Sequence, residues 1–382
     1  MHIALVTETY PPEVNGVAMT LSRLAGGLGN RGHKVTVIRP RQQGEASHGP
    51  RIHNAAEGLD QWLVAGWPIP FYNSLRIGAP ASSLLRRRWQ QNRPDLVHVA
   101  TEGPLGYSAQ KTARHLGIPV TSSFHTNFHQ YGGHYGLSFG RNMALRYLRW
   151  FHNQTACTLV PTDGMRADLA CQGFRRLSVL SRGVDARLFS PARRSELLRK
   201  AWGAAAEDPV AIYVGRLAAE KNLDLAVEAF LAMRLINPRV RFVLVGDGPL
   251  RSSLEARYSD FIYAGTRRGE ELAAYYASAD VFLFPSVTET FGNVVTEALA
   301  SGLVVAGYDY AASRQFVRAD VNGFVAKFGD RADFVQMARK VMNRRADWPA
   351  MRAEARVTAQ GISWEAIVAQ FDALLATIIS AS

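Results

Sequence analysis

The sequence contains little cysteine, since only Cys157 and Cys171 occur among its 382 residues. Two cysteines cannot build the disulfide framework of a small secreted domain, and their spacing does not match a metal-binding motif. Their ordinary role is that of small buried apolar residues. A reducing compartment is therefore the simpler expectation.

Long apolar runs are also missing, because the longest uncharged stretches are short or interrupted by proline. Residues 1–6 enter a strand pattern directly, without a basic segment or a cleavage site before it. We therefore expect neither a signal peptide nor a membrane-spanning helix.

No Asp-x-Asp pair occurs in the sequence. Carboxylate pairs of this kind are suited to holding a catalytic divalent cation, which prefers oxygen ligands. We therefore expect no required metal ion and no other cofactor.

Acidic residues are scarce in the first half of the chain. Residues 1–190 contain 21 Lys or Arg against 10 Asp or Glu, whereas residues 191–382 contain 23 against 22. Such a one-sided positive field favours an anionic membrane surface, an acidic substrate or nucleic acid as a partner. No nucleic-acid-binding motif is visible, so we expect no nucleic acid partner. A basic nucleic-acid-binding protein is the alternative from another functional class.

Two segments combine basic and apolar residues at helical spacing, which is typical of a helix lying in a membrane interface. One has Arg86, Arg87 and Arg88 between Leu85 and Trp89. The second has Arg141, Arg146 and Arg149 interleaved with Leu145, Tyr147, Leu148, Trp150 and Phe151. They predict a cytoplasmic protein bound peripherally to the inner face of an anionic membrane. A helix packed on its own domain would give the same pattern.

Short apolar strands alternate with helical patterns along the whole chain, which is typical of parallel sheets wound with helices. The predicted strands of the first half are residues 3–7, 35–39, 96–99, 120–124 and 158–161. Those of the second half are 211–214, 242–245, 262–264, 281–284 and 304–306. The alternation of strands and helices is interrupted between residues 183 and 209. This stretch contains Ser190-Pro191, a charged helical segment and the run 204–208, which indicates a connection between domains.

Residues 289–297 are the most informative stretch, because two carboxylates bracket a glycine turn that opens a predicted helix. Glu289 falls on the loop and Glu297 about one turn inside the helix. The N–H groups of the helix start offer a site for a diphosphate, and the helix dipole adds to it. These groups belong to Gly292, Asn293 and Val294. The spacing alone is equally consistent with a solvated acidic loop before a helix.

Other polar residues follow predicted strands, where open α/β sheets place ligand-contacting loops. Arg216 and Lys221 can clamp a diphosphate, and Gly16 lets backbone approach one closely. Taken in isolation, the first two are equally compatible with a surface arginine and an exposed lysine near a helix start. His125 follows an apolar strand, where an isolated histidine is more often structural. Asn15 with Gly16 is also an ordinary turn pair.

Together these segments resemble the family 4 retaining glycosyltransferases of the GT-B fold, over nearly the whole chain. Residues 289–297 match the E-x7-E motif of that family, and residues 10–17, 124–126, 214–217 and 220–222 match its companion motifs. Residues 122–128 bear on the branch of the family, together with the run at 181–185. Residues 181–185 look most like the branch that glycosylates membrane lipids, such as mannosyl and sulfoquinovosyl diacylglycerol enzymes.

The resemblance implies an α/β protein with two Rossmann-like domains facing a central cleft. The first, residues 1–190, would bind the acceptor and be completed by a C-terminal helix at 364–382. The second, residues 191–363, would bind the nucleotide sugar.

The resemblance also implies roles for individual residues, with Glu289 on hydroxyls of the donor sugar and Glu297 on the ribose. The catalytic residues would be His125, Arg216, Lys221 and Glu289. The donor-binding residues would be Gly16, Arg216, Lys221, Glu289, Phe291, Gly292, Asn293, Val294 and Glu297. Tyr10 and Asn15 are candidate acceptor contacts, although a core position for Tyr10 is nearly as compatible with the pattern. Retention without an evident carboxylate nucleophile favours front-face transfer.

The predicted reaction moves a hexose from a nucleoside diphosphate to a lipid-linked or membrane-proximal acceptor. Glu270 or Glu271 could accept hydrogen bonds from guanine, which favours GDP-mannose over a UDP-hexose. These acids could instead simply begin a helix, where negative charge is favourable. Epimerisation or hydrolysis of a nucleotide sugar is a further alternative on the same fold.

Overall fold

The computed structural model describes residues 1–13, 15–42, 45, 51–54, 59–69, 72–125 and 138–382. The predicted motif positions Val14, Thr126, Asn127 and Phe128 lie outside these residues, as does the side chain of Arg141. The chain divides into two compact units. The first comprises Met1–Arg182 and Trp364–Ser382, and the second comprises Gly183–Ser363.

The division falls before the expected boundary at residue 190, because residues 183–190 pack with the second unit. Val184 and Phe189 are buried in its hydrophobic core. Arg356 donates to the carbonyl oxygens of Phe189 and Ala186, each at 2.7 Å. These contacts attach the connecting segment to the second unit.

The first unit is built on an eight-stranded sheet with the order β10-β9-β8-β7-β1-β2-β4-β3. Its strands are parallel except for the pair β3 and β4, and a separate antiparallel hairpin is formed by β5 and β6. The elements in chain order are β1 (His2–Val6), α1 (Gly16–Asn30), β2 (Lys34–Pro40), β3 (Arg51–Asn54), β4 (Leu59–Val64), β5 (Gly66–Ile69), β6 (Tyr72–Gly78), α2 (Ser82–Gln91), β7 (Leu96–Val99), α3 (Pro104–His115), β8 (Val120–Ser123), α4 (Ser138–His152), β9 (Cys157–Val160), α5 (Asp163–Cys171) and β10 (Leu177–Val179).

The second unit is built on a six-stranded parallel sheet with the order β13-β12-β11-β14-β15-β16. Its elements are α6 (Glu196–Ala201), β11 (Val210–Val214), α7 (Leu223–Ile236), β12 (Arg241–Val245), α8 (Arg251–Arg257), β13 (Ile262–Gly265), α9 (Gly269–Ser278), β14 (Val281–Phe284), α10 (Asn293–Ala300), β15 (Val304–Tyr308), α11 (Ala311–Phe316), β16 (Gly323–Ala326), α12 (Arg331–Asn343) and α13 (Trp348–Gln360).

The last helix, α14 (Trp364–Ser380), packs in the first unit although it follows the second along the chain. Phe371 and Leu375 are fully buried in a core shared with Leu21 and Leu24 of α1. A side chain at Gly27 of α1 would collide with α14, so glycine permits this close approach. The central strands are buried on both faces because helices cover both, as is typical of parallel sheets.

A buried carboxylate anchors the end of the second sheet at which β14 begins. Asp280 is 7% exposed and accepts hydrogen bonds from the backbone N–H of Val210, at 2.9 Å, and from Arg352, at 3.1 Å. Arg194 and Arg199 each donate to it at 3.3 Å. One carboxylate therefore pairs with three guanidinium groups, and that of Arg199 is fully buried.

None of the helices in the described part of the chain combines the length and the apolar character needed to span a bilayer.

Candidate functional site

The loop between β14 and α10 is shaped by glycine. Gly292 has φ 93°, in the left-handed region that disfavours other residues, and α10 begins at the next residue. Within the described residues no side chain caps this helix start. Its first N–H groups and the positive end of the helix dipole are therefore available to an anion.

The predicted residues Lys221 and Glu289 lie in direct contact, with Nζ 2.5 Å from Oε1. Ser286 also donates to Oε1 of Glu289, at 2.7 Å, and Tyr310 donates to the backbone oxygen of Glu289, at 2.9 Å. In the described contacts both side-chain bonds fall on Oε1, so Oε2 can accept from a ligand. A β-carbon at Gly292 would lie 3.7 Å from Cγ of Glu289, so the ion pair adjoins the uncapped helix start.

Hydrogen bonds between two loops bring Lys221 and Glu289 together. Thr288, one residue before the carboxylate, donates to the backbone oxygen of Glu220 at 3.0 Å. Asn222 has a left-handed backbone at φ 55° and donates to the backbone oxygen of Pro285 at 3.4 Å. The loop after β11 is thereby tied to the loop after β14.

Arg216 follows the same strand but is not drawn into this contact. Its side chain is 65% exposed, and its Nη1 lies 3.3 Å from Oε1 of Glu220. An exposed ion pair of this kind contributes only about 0–1 kcal/mol. Little free energy therefore holds the guanidinium in place, and it can turn toward a ligand.

Glu297 lies one turn inside α10, where the hydroxyl of Tyr276 donates to its Oε2 at 3.2 Å. Burial raises the pKa of Glu297 to about 7, and the hydrogen bond from Tyr276 opposes this rise. Oδ1 of Asn293, on the first turn of the same helix, is buried and has no hydrogen-bond partner within the described chain. The start of α10 therefore offers one further unsatisfied polar atom, Oδ1 of Asn293.

Two predicted donor contacts have a structural role as well. The side chain of Phe291 is 1% exposed and packs edge-on against Phe316, with ring centroids 6.0 Å apart. The carbonyl oxygen of Val294 accepts from Tyr276 at 3.4 Å. Phe291 therefore supports the loop from the core, and only its backbone is placed to meet a ligand.

In the first unit, His125 follows β8, and both of its ring nitrogens are buried without a hydrogen-bond partner in the described residues. Burial, then Arg182, His98 and His152, lower its pKa well below the usual value, so the ring is neutral. The neighbouring rings are satisfied. His98 contacts hydroxyls of β8, and His152 lies 3.0 Å from Glu102. Of His98, His125 and His152, His125 is therefore the one whose ring nitrogens can bind a ligand.

Gly16 is the first residue of α1, and Asn15 caps that helix. The oxygen of Asn15 accepts from Val17 and Ala18, at 3.1 and 2.9 Å, and its amide nitrogen donates to Thr9. Asn15 is therefore engaged in holding the loop, and its predicted role as an acceptor contact stays a prediction.

Tyr10, the second predicted acceptor contact, is 3% exposed and packs in the first unit's core. Its core position was the alternative that the sequence left open.

Two residues near these groups were not predicted as part of a site. Tyr276 contacts Glu297 from α9, and no spacing rule links the two positions. Arg182 follows β10 within the run at residues 181–185, which in the sequence indicated only the branch of the family. A β-carbon at Gly16 would lie 3.3 Å from Nη1 of Arg182.

Within the residues that the structure describes, no group of three or more His, Cys, Asp or Glu side chains is arranged to hold a metal ion. The positive charge at the site comes from side chains and a helix start.

Comparison with known proteins identifies the family. The family described as Glycosyltransferase Family 4 matches residues 14–188, and the one described as Glycosyl transferases group 1 matches residues 208–344. A GDP-mannose-dependent alpha-mannosyltransferase of Mycobacterium tuberculosis is 33% identical over 86% of this chain and 85% of its own length. The sulfoquinovosyl transferase SQD2 of Arabidopsis thaliana is 29% identical over 78% of this chain and 60% of its own.

Solved structures show the same fold. A sucrose-phosphate synthase from Thermosynechococcus elongatus superposes with a TM-score of 0.76 at 18% identity, covering 100% of both chains. WaaG, a glycosyltransferase of lipopolysaccharide biosynthesis, gives 0.68 at 18% identity over 98% of this chain and 99% of its own. The predicted α/β fold of Rossmann-like halves, the GT-B fold, is confirmed, as is the predicted glycosyltransferase activity. The chain belongs to glycosyltransferase family 4.

Proposed function

We propose that this protein transfers mannose from GDP-mannose to a lipid-linked acceptor, with retention at the anomeric carbon. The main structural support for this proposal is the Lys221–Glu289 ion pair, which adjoins the uncapped start of α10. The donor assignment is supported by relatives whose names specify GDP-mannose. The lipid acceptor is supported by the alpha-monoglucosyldiacylglycerol synthase of Acholeplasma laidlawii, 29% identical over 81% of both chains.

The proposed chemistry depends on stabilising the leaving diphosphate, which gains negative charge as the glycosidic bond breaks. Lys221 supplies a compact positive charge, and Arg216 can bind two oxygens at once. The N–H groups at the start of α10 add further donors. These groups meet the electrostatic need of the diphosphate themselves, and we propose that no metal ion or other cofactor is required.

The donor sugar and the ribose need hydrogen-bond acceptors. Oε2 of Glu289 can accept from a sugar hydroxyl while Lys221 and Ser286 hold Oε1. Glu297 would accept from the ribose diol. The neutral ring of His125 can donate a hydrogen bond to the donor sugar or accept one from it. In front-face transfer the leaving phosphate takes the proton of the acceptor hydroxyl, so no carboxylate nucleophile is needed.

The donor base is tested by calorimetry with GDP and UDP. We expect GDP to bind at least ~10-fold more tightly, a difference of about 1.4 kcal/mol. Glu270 and Glu271 lie in the first turn of α9, where Glu270 pairs with Arg193 at 3.1 Å. Their position fits the alternative that they begin a helix, so the expectation rests on the relatives. Tighter UDP binding would mean that the donor is a UDP-hexose and not GDP-mannose. In a separate product analysis, hydrolysis of the donor without acceptor would contradict the proposed transfer reaction.

The ionisation of Glu297 makes donor binding dependent on pH. Its pKa of about 7 means that the free carboxyl is largely protonated below pH 7, whereas the ribose hydroxyls need the carboxylate as acceptor. We expect the affinity for GDP-mannose to fall as the pH drops from 8 to 6 and a proton to be released on binding.

Titration calorimetry in buffers of different ionisation enthalpy measures that proton, and Glu297→Gln should remove it. Affinity independent of pH in the unmodified protein would contradict this role. In the free protein the same raised pKa contributes stability that is fully present below about pH 4.5 and is lost as the pH rises through about 7.

We also propose that the first unit binds an anionic membrane surface through α4. This helix contains no acidic residue. Phe151 faces the core, while Met143, Tyr147 and Trp150 are 58, 40 and 46% exposed. Tyrosine and tryptophan at an exposed basic helix are typical of interfacial binding. By contrast, Leu85 and Trp89 of α2 are buried, so that helix packs on its own domain.

Vesicle co-sedimentation tests this surface. We expect at least ~10-fold stronger binding to phosphatidylglycerol vesicles than to phosphatidylcholine vesicles, and weaker binding as salt is added. Trp150→Ser should reduce binding severalfold. The matched control is Leu197→Ser, since Leu197 is an apolar residue 81% exposed in the second unit. Equal binding to both vesicles, or equal losses in the two variants, would favour a soluble acceptor.

A further inference from the structure

Arg182 lies at the edge of the first sheet that should receive substrate. It follows β10, and its side chain is 8% exposed. The position of its Nη1, 3.3 Å from where a β-carbon of Gly16 would stand, places the guanidinium against the first turn of α1. A fixed positive charge therefore adjoins a helix start that carries no side chain at its first position.

His125 provides a second, independent sign of a ligand at this edge. Its two ring nitrogens are buried and have no hydrogen-bond partner in the described chain. Buried polar groups without a partner are rare in folded proteins and call for an explanation. After burial, the charge of Arg182 is the next influence that lowers the pKa of His125.

Gly16, His125 and Arg182 follow strands β1, β8 and β10, at the carboxyl edge of the sheet. A guanidinium offers a fork of N–H donors that matches phosphate oxygens, and the dipole of α1 favours the same charge. Because Gly16 has no side chain, the guanidinium of Arg182 lies close to its backbone, so a phosphate that reaches this backbone would also meet the guanidinium.

We propose that Arg182 is a further substrate-binding residue of the first unit and that its guanidinium binds a phosphate group over the backbone of Gly16. The inference deepens the proposed function and rests on it. The phosphate belongs either to the diphosphate of the donor or to the headgroup of a phospholipid acceptor. The chemistry of recognition is the same for both.

Competition binding with Arg182→Gln tests the donor as the source of the phosphate. We expect the affinity for GDP to fall by ~10-fold or more, about the contribution of one charge-assisted hydrogen bond, and the affinity for guanosine to be unchanged. Arg182→Lys should restore part of the loss, because it keeps the charge without the fork.

A second experiment tests the acceptor as the source of the phosphate. The apparent KM for phosphatidylinositol and for diacylglycerol in vesicles is measured with Arg182→Gln and with the unmodified protein. A rise confined to phosphatidylinositol assigns the phosphate to the acceptor. Unchanged affinity for GDP with equal effects on both lipids overturns the proposal. If the Gln variant does not fold, the same measurements on Arg182→Lys decide.

Gly16→Ala tests whether Gly16 and Arg182 act on the same ligand. Its new β-carbon would press on Arg182, so it should weaken the same phosphate-containing ligand. In the Arg182→Gln background that loss should be smaller, and additive losses would count against the proposal. The comparison is made with whichever nucleotide the unmodified protein binds. A wrong donor would therefore overturn the proposed function without deciding the role of Arg182.

Discussion

Replacing Lys221 by methionine should lower kcat/KM by at least ~10²-fold, because the variant loses the positive charge beside the leaving diphosphate. The stem of the side chain is kept, so packing around Glu289 changes little. Lys221 is only 20% exposed and holds Oε1 of Glu289 at 2.5 Å, so the variant also frees the carboxylate that should orient the sugar. Initial rates over a range of donor concentrations measure the effect.

Lys340→Met is the matched control for this prediction. Lys340 lies in the same unit and pairs with Asp320 at 2.8 Å, but both side chains are well exposed. We expect its kcat/KM to stay within about twofold of the unmodified protein, since exposed pairs contribute little. Near-normal turnover of Lys221→Met with an unchanged melting temperature would show that the diphosphate is bound elsewhere.

Asp280→Ala should destabilise the second unit by about 3–5 kcal/mol, because it leaves the buried guanidinium of Arg199 and the partly buried ones of Arg194 and Arg352 without their shared counter-charge. The carboxylate accepts from three arginines and from the backbone N–H of Val210 at the start of β11. Without the carboxylate, these donors lose a hydrogen-bond acceptor in a region that water reaches poorly. Urea unfolding followed by circular dichroism measures the loss as a lower transition midpoint.

Asp260→Ala is the control for Asp280, since the pair of Asp260 with Arg234 is on the surface and Asp260 is 59% exposed. Its expected loss is about 1 kcal/mol or less. Equal midpoints for the Asp280 and Asp260 variants would mean that the arginines find other partners when the buried carboxylate is removed.

The strands that the sequence predicted best are short, mainly apolar runs with clear ends. Residues 96–99 and 281–284 form β7 and β14 with the predicted bounds. The strand β4 was missed because Asp60 and Gln61 break its apolar pattern, and β16 because it begins with glycine. Such strands depend on neighbours in the sheet, which local pattern does not contain.

The placement of the candidate residues on loops and helices was predictable where spacing along the chain decides it. Glu289 and Glu297 lie on the loop and the helix that their spacing indicated, and the left-handed Gly292 divides them. The contact of Lys221 with Glu289 joins residues 68 positions apart, so it follows only from the order of β11 and β14 in the sheet. Contacts of this kind are properties of the tertiary fold.

The position of α14 has a consequence for biosynthesis. Ribosomes make the chain from its N-terminus, so the whole second unit is synthesised before Phe371 and Leu375 emerge. Until then the apolar face of α1 that these residues cover is exposed to solvent, and the unit begun first is completed last. A premature stop codon shortly before residue 364 would therefore leave the second unit intact and the first exposed to proteases and chaperones.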